Sequence, residues 1–118
     1  VSSTLPHVGD PALFSAMCNA LIILRDEDQN ISLQAALAFV AIASLPGGCS
    51  QADVCDQLRL PPGYVSNQVS KLANGLGLVD VKEDRIDRRR CRLFLTVRGA
   101  NVANRMRFAI KEAFHESV

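Results

Sequence analysis

The sequence lacks a long apolar run, a close pair of cysteines and any histidine in its middle. Each absence excludes a class of protein. The most apolar stretch, 31–45, is interrupted by Ser32, Gln34 and Ser44. It falls short of the roughly 20 residues needed to cross a membrane as a helix. The four cysteines, Cys18, Cys49, Cys55 and Cys91, include no C-x-x-C pair. That spacing supplies neither a disulfide framework nor a zinc site, and no metal or cofactor is expected. The only histidines, His7 and His115, lie near the two ends. With no Gly-rich phosphate loop and no nucleophile motif either, the chain is not read as an enzyme. The start, "VSSTLPHVGDP", has neither the charged nor the apolar region of a signal peptide. It reads as a flexible lead over 1–9, and free thiols place the protein in the cytoplasm.

What remains suits a single domain over 10–118. The chain has 118 residues, 48% of them hydrophobic, enough to build a core. Charged residues make up 21% and the net charge is +1, so the whole molecule is not an electrostatic magnet. The charge is uneven, however. Between Lys82 and Arg92 six basic residues stand against three acidic ones, and five of the six are arginines. Such local asymmetry decides partners more than the total does.

Periodicity orders the rest. Asp10 and Pro11 signal a helix start, and apolar residues at Leu13, Phe14, Met17, Leu21 and Leu24 follow at helical spacing. Ser32 can cap a second helix, "LQAALAFVAIASL", apolar nearly all round. "PGG" ends it, and Ser50 can cap a third. Pro61, Pro62 and Gly63 mark a tight turn and a new helix over 62–74. That helix has Val65, Val69, Leu72 and Leu76 on one stripe and Gly63, Asn67, Ser70, Lys71 and Asn74 opposite. Gly75 and Gly77 stop it. "LVDVKED" and "RCRLFLTV" read as two strands with the arginines between them. A last helix runs from about Val97 to Glu116. Two short helices joined by a tight turn and followed by a hairpin describe a winged helix-turn-helix, mainly α with a small β wing (α+β).

These same residues resemble the MarR family of regulators. "ISLQAALAFVAI" is similar to that family's second helix, and "SQADVCDQLRLPPGYVSNQVSKLANGLGLV" to its helix-turn-helix. The most specific likeness is "DRIDRRRCRLFLTVRG", which resembles the family's wing at Asp84, Asp87, Arg88, Arg89, Leu93, Leu95, Thr96 and Gly99. Arg85 stands where the family often has proline, and Pro61, Pro62 and Gly63 replace small hydroxyl residues. The resemblance implies a sequence-specific regulator of transcription, a repressor acting as a homodimer on a palindromic operator in double-stranded DNA. It also admits a small-molecule effector and implies no membrane role.

The residue chemistry fits that implication. Ser66, Asn67, Gln68, Ser70 and Lys71 supply donors and acceptors suited to base edges in the major groove. The wing, 82–92, would enter the minor groove, where negative potential favours arginine. By the resemblance Arg89 inserts and Asp87 shapes the tip; Arg88 and Arg90 then face phosphates, and Arg85 is a further DNA-binding candidate. Cys91 shares strand parity with Leu93 and Leu95 and is expected to face the core. Cys18, near the start of the first helix, is the one candidate for a redox-sensing variant. The competing class is a winged-helix protein-interaction module without DNA binding. It would need an apolar recognition face, with Tyr64 and Phe94 the residues to watch.

Overall fold

Asp10 and Pro11 start the first helix as capping chemistry predicts. The Asp10 carboxylate accepts the Leu13 N–H at 3.3 Å, and Pro11 occupies the first turn, where its missing N–H costs nothing. In the computed structural model, which describes residues 9–45, 47–83, 85–86 and 91–116 (the backbone alone at 113–116), the elements follow in this order. Helix α1 is Pro11–Glu27, α2 Leu33–Ala43, β1 Cys49–Ser50, α3 Gln51–Leu58, and α4 Pro62–Ser70. Strands β2, Val79–Glu83, and β3, Cys91–Leu95, precede helix α5, Val97–Glu116. The expected lead at 1–9 lies outside the described residues except for Gly9.

The core forms where helices α1 to α5 and the sheet meet. Phe39, Leu24, Leu72, Leu78 and Leu93 are fully buried there, each worth about 1.5–3 kcal/mol by transfer from water. Helix α2 is held at its start by Ser32, whose hydroxyl accepts the Ala35 N–H at 3.1 Å. It buries Ala35, Ala36, Ala38, Phe39, Ala41 and Ile42 but leaves Leu33, Leu37 and Val40 exposed. Those six positions span more than half of the helix circumference, so α2, apolar nearly all round, is buried on most sides with one exposed strip.

Helix α1 lies along α5. The side it buries differs from the stripe of large residues read from the sequence. Ala16, Ala20 and Leu24 face inward, while Phe14, Met17 and Leu21 are 54%, 46% and 51% exposed. Small alanines let the two helix backbones approach, and the large residues are left outside. At the far end Arg98 of α5 donates from Nε to Glu27 of α1 at 3.4 Å.

The sheet has a strand the sequence did not announce. Residues Cys49 and Ser50 form β1, which pairs antiparallel with β3 through Cys49↔Leu93 and Ser50↔Arg92. Strand order is β1-β3-β2. The β2–β3 pair runs from Val79↔Leu95 to Glu83↔Cys91, the hairpin expected between the fourth and last helices. A corner built on Thr96 ties it down. The Thr96 hydroxyl donates to Gly77 O at 2.7 Å and accepts the Gly99 N–H at 3.0 Å, and the Thr96 N–H reaches Leu78 O at 3.1 Å. A side chain at 99 would collide with the Leu78 carbonyl, which explains the glycine. Among the described residues no helix is long and apolar enough to cross a membrane.

Candidate nucleic-acid interface

The interface starts from a capping box. The Ser50 hydroxyl accepts the Asp53 N–H at 3.1 Å, and the Asp53 carboxylate accepts the Ser50 N–H at 3.0 Å. The reciprocal bonds fix the entry of α3. The Ser50 N–H, then the Ser50 hydroxyl, hold the Asp53 carboxyl below its ordinary value, with a further contribution from Arg92. Helix α3 ends at Arg59, whose φ of 57° is the left-handed conformation that closes a helix. After Leu60 the chain turns through Pro61 into α4, and Gln51 Nε2 donates to Pro62 O at 3.0 Å across the turn.

Helix α4 divides cleanly. Val65, Val69 and Leu72 are buried and Leu76 is half-buried, as the stripe predicted. Gly63, Ser66, Asn67, Ser70, Lys71 and Asn74 are exposed on the other side. The helix does not continue as a uniform α-helix to 74. Lys71–Gly75 form a π-helical turn, with the Leu76 N–H bonded to Lys71 O at 3.1 Å. Lys71 and Asn74 thus stand on a widened last turn.

Gln68 is a correction. It is only 6% exposed and its side-chain oxygen accepts from the Ser32 hydroxyl at 3.5 Å. The reason is angular. Three residues after Val65 and four before Leu72, Gln68 falls on the buried stripe, not the polar face. It belongs to the contact between α4 and α2.

Beside α4 stands the hairpin. Arg85 and Ile86 are exposed in the segment joining its strands. Asp84, Asp87, Arg88, Arg89 and Arg90 lie outside the described residues. Cys91 is the second correction. It is exposed, although it shares parity with the buried Leu93. Parity set its side of the strand correctly, but β1 pairs no further along β3 than Arg92, so the pairing with the body ends short of it. Of the other thiols, Cys49 is buried, Cys55 half-buried and Cys18 exposed. Burial first, then the nearby Asp53 carboxylate, raises the Cys49 thiol above its ordinary value, with Arg92 opposing. Among the described residues no group of three or more His, Cys, Asp or Glu is placed to hold a metal.

An apolar groove runs between α1 and α2. Phe14, Met17, Leu21 and Leu33 line it, with Cys18 and Arg25 beside them, and it encloses about 620 Å³.

A tight helix pair, a polar outer helix face and an adjoining antiparallel hairpin define the class: a winged helix-turn-helix. Comparison with solved structures narrows the fold to the MarR type. A transcriptional regulator of the MarR family from Rhodococcus sp. RHA1 superposes with a TM-score of 0.62 at 17% identity, over 88% of this chain and 71% of that one. The MepR–DNA complex from S. aureus gives a TM-score of 0.70 at 22% identity, over 88% of this chain and 82% of MepR. BpsR from Bordetella bronchiseptica, whose DNA binding is regulated by 6-hydroxynicotinic acid, gives 0.59 at 21% identity, over 88% and 79%. No protein-family model matches the sequence, and no curated protein matches it.

Proposed function

We propose that the chain is a MarR-family regulator of transcription that binds double-stranded DNA as a homodimer. The observation that carries this reading is the exposed face of α4 and its π-helical turn, where Ser66, Asn67, Ser70 and Lys71 stand exposed and the turn packs against β2. Asparagine pairs bidentately with adenine, serine reads either kind of group, and lysine reaches guanine or phosphate. Helix α4 enters the major groove and the wing the minor groove, with Arg89 inserted, Asp87 shaping the tip, Arg88 and Arg90 on phosphates, and Arg85 a further DNA contact. The MepR–DNA complex among the structural neighbours supports the fit of this fold to a duplex. The protein acts in the cytoplasm as a repressor and is not an enzyme.

The outward faces of the terminal helices build the dimer. Phe14, Met17 and Leu21 on α1, with Phe108 on α5, expose more apolar surface than a free domain of this size needs. A two-fold axis then sets two α4 helices about 34 Å apart, one turn of DNA. A palindromic operator follows from that symmetry. The α1–α2 groove is the place for a small-molecule effector, as the regulation of BpsR by an aromatic acid encourages.

Apart from Tyr64, which is exposed, the recognition face is polar and presents no apolar patch, which disfavours the protein-interaction reading. Selection of binding sites from random duplex DNA tests the proposal. Enrichment of a palindrome supports both the DNA role and the dimer. Absence of any enriched sequence would sink the reading.

A further inference from the structure

The wing leaves the body at an unusual joint. Gly48 has a φ of 91°, a left-handed conformation, and the Phe94 ring lies directly against its Cα. A Cβ at 48 would collide with the ring at Cε1 and lie 2.8 Å from Cζ. On the same outer face of β3, Arg92 donates from Nη2 to Gly48 O at 3.2 Å. Lys82 of β2 caps the arrangement, its Nζ 5.5 Å from the Phe94 centroid. Pairing with the body ends here, because β1 stops at Ser50↔Arg92 while β2 and β3 continue to Glu83↔Cys91.

We propose that Gly48, Phe94 and Arg92 form a positioning joint that sets the pitch of the wing against helix α4. The inference rests on the DNA-binding reading and names three residues that act on DNA through the wing. The need for such a joint is mechanical. Strand β3 is held on both edges only up to Arg92, and beyond it the hairpin projects on its own pairing. Arg89 is three residues further on, so an extended chain carries it at most about 10 Å from Arg92. A rotation of about 10° at the joint would move it by roughly 2 Å, a large step in a minor groove only about 6 Å wide. The ring packed against Gly48 and the Arg92–Gly48 hydrogen bond both tie β3 to the segment beside it and so oppose that rotation. Phe94 and Gly48 carry no side-chain charge, so they cannot affect DNA by neutralising phosphate.

The test compares wild-type protein, Phe94→Ala, Gly48→Ala and the double variant on the selected operator, by affinity and hydroxyl-radical footprint. Thermal melts establish that each variant is folded. Phe94→Ala is expected to weaken binding about tenfold, the scale of one good contact. Protection should fade on the flanks reached by the wing and persist over the bases reached by α4. The double variant should be no weaker than the worse single one, because both act on one joint. Unchanged flanking protection in folded Phe94→Ala, or additive losses in the double variant, would overturn the proposal. Should Phe94→Ala not fold, Phe94→Leu, which keeps the apolar bulk but not the flat ring, carries the same comparison. A wild-type protein that binds no duplex removes the underlying reading and the joint with it.

Discussion

Helix α4 is anchored by side chains it buries itself, Val65, Val69 and Leu72, whereas the outer part of the β2–β3 hairpin hangs from Gly48, Phe94 and Arg92. The first anchor is part of the hydrophobic core. The second lies at the surface and is made of one ring contact and one hydrogen bond. The difference separates two properties. Damage to the α4 anchor is damage to the fold, while damage near the hairpin reaches binding and leaves the core intact.

The sharpest way to break the contrast is Leu72→Ala. Leu72 is fully buried, so the loss of its side chain should cost about 2–5 kcal/mol of stability, read by denaturant unfolding. DNA binding should fall with the folded fraction. Arg89→Ala comes next. Operator affinity should drop by about 1–3 kcal/mol in a mobility-shift titration while the melting temperature stays put. Wild-type affinity in that variant would remove the wing from the interface. A smaller effect is expected for Lys71→Ala. If Lys71 meets a phosphate, binding weakens on all sequences and the salt slope falls by about 1. If it reads a base, the enriched site changes instead, as it should for Asn67→Ala.

The smallest effect sharpens the comparison from the α3 side. The Asp53 carboxyl sits below its ordinary value of 3.8 because Ser50 donates to its charged form. A depressed carboxyl contributes stability at neutral pH. That contribution is lost as pH falls from about 4 through the folded-state value. Asp53→Asn should therefore flatten the acid side of a stability-versus-pH curve and leave DNA contacts on α4 unchanged. An identical acid slope in the variant would show that the capping box does not set it.

Several features of this architecture were legible in the sequence for physical reasons. The caps at Asp10, Ser32 and Ser50 are local chemistry, and all three form. The α4 stripe follows from helical periodicity, which depends only on the chain itself. The failures share a different cause. Strand β1 is two residues long and exists only because β3 passes beside it. Gln68 is polar, yet its position on the helix sends it inward to Ser32. Parity placed Cys91 on the right side of β3 but could not reveal that β1 pairs no further than Arg92. On α1, hydrophobicity marked Phe14, Met17 and Leu21, while the close neighbour α5 selected Ala16 and Ala20. Gln68 was marked by its own place on the helix; in the other cases the missing information belonged to another segment of the chain. The π-helical turn at Lys71–Gly75 has no signature of its own in the apolar spacing, which stays regular through Leu76.

Thr96 gives the molecule a further property. One hydroxyl bonds both the carbonyl at the end of the α4 segment and the first turn of α5, as a rivet passes through two plates. Leu78 O is bonded from the same residue and leaves no room for a side chain at 99. The two plates cannot slide past each other without breaking the rivet. Any displacement of the start of α5 from the end of the α4 segment would therefore have to break these bonds together.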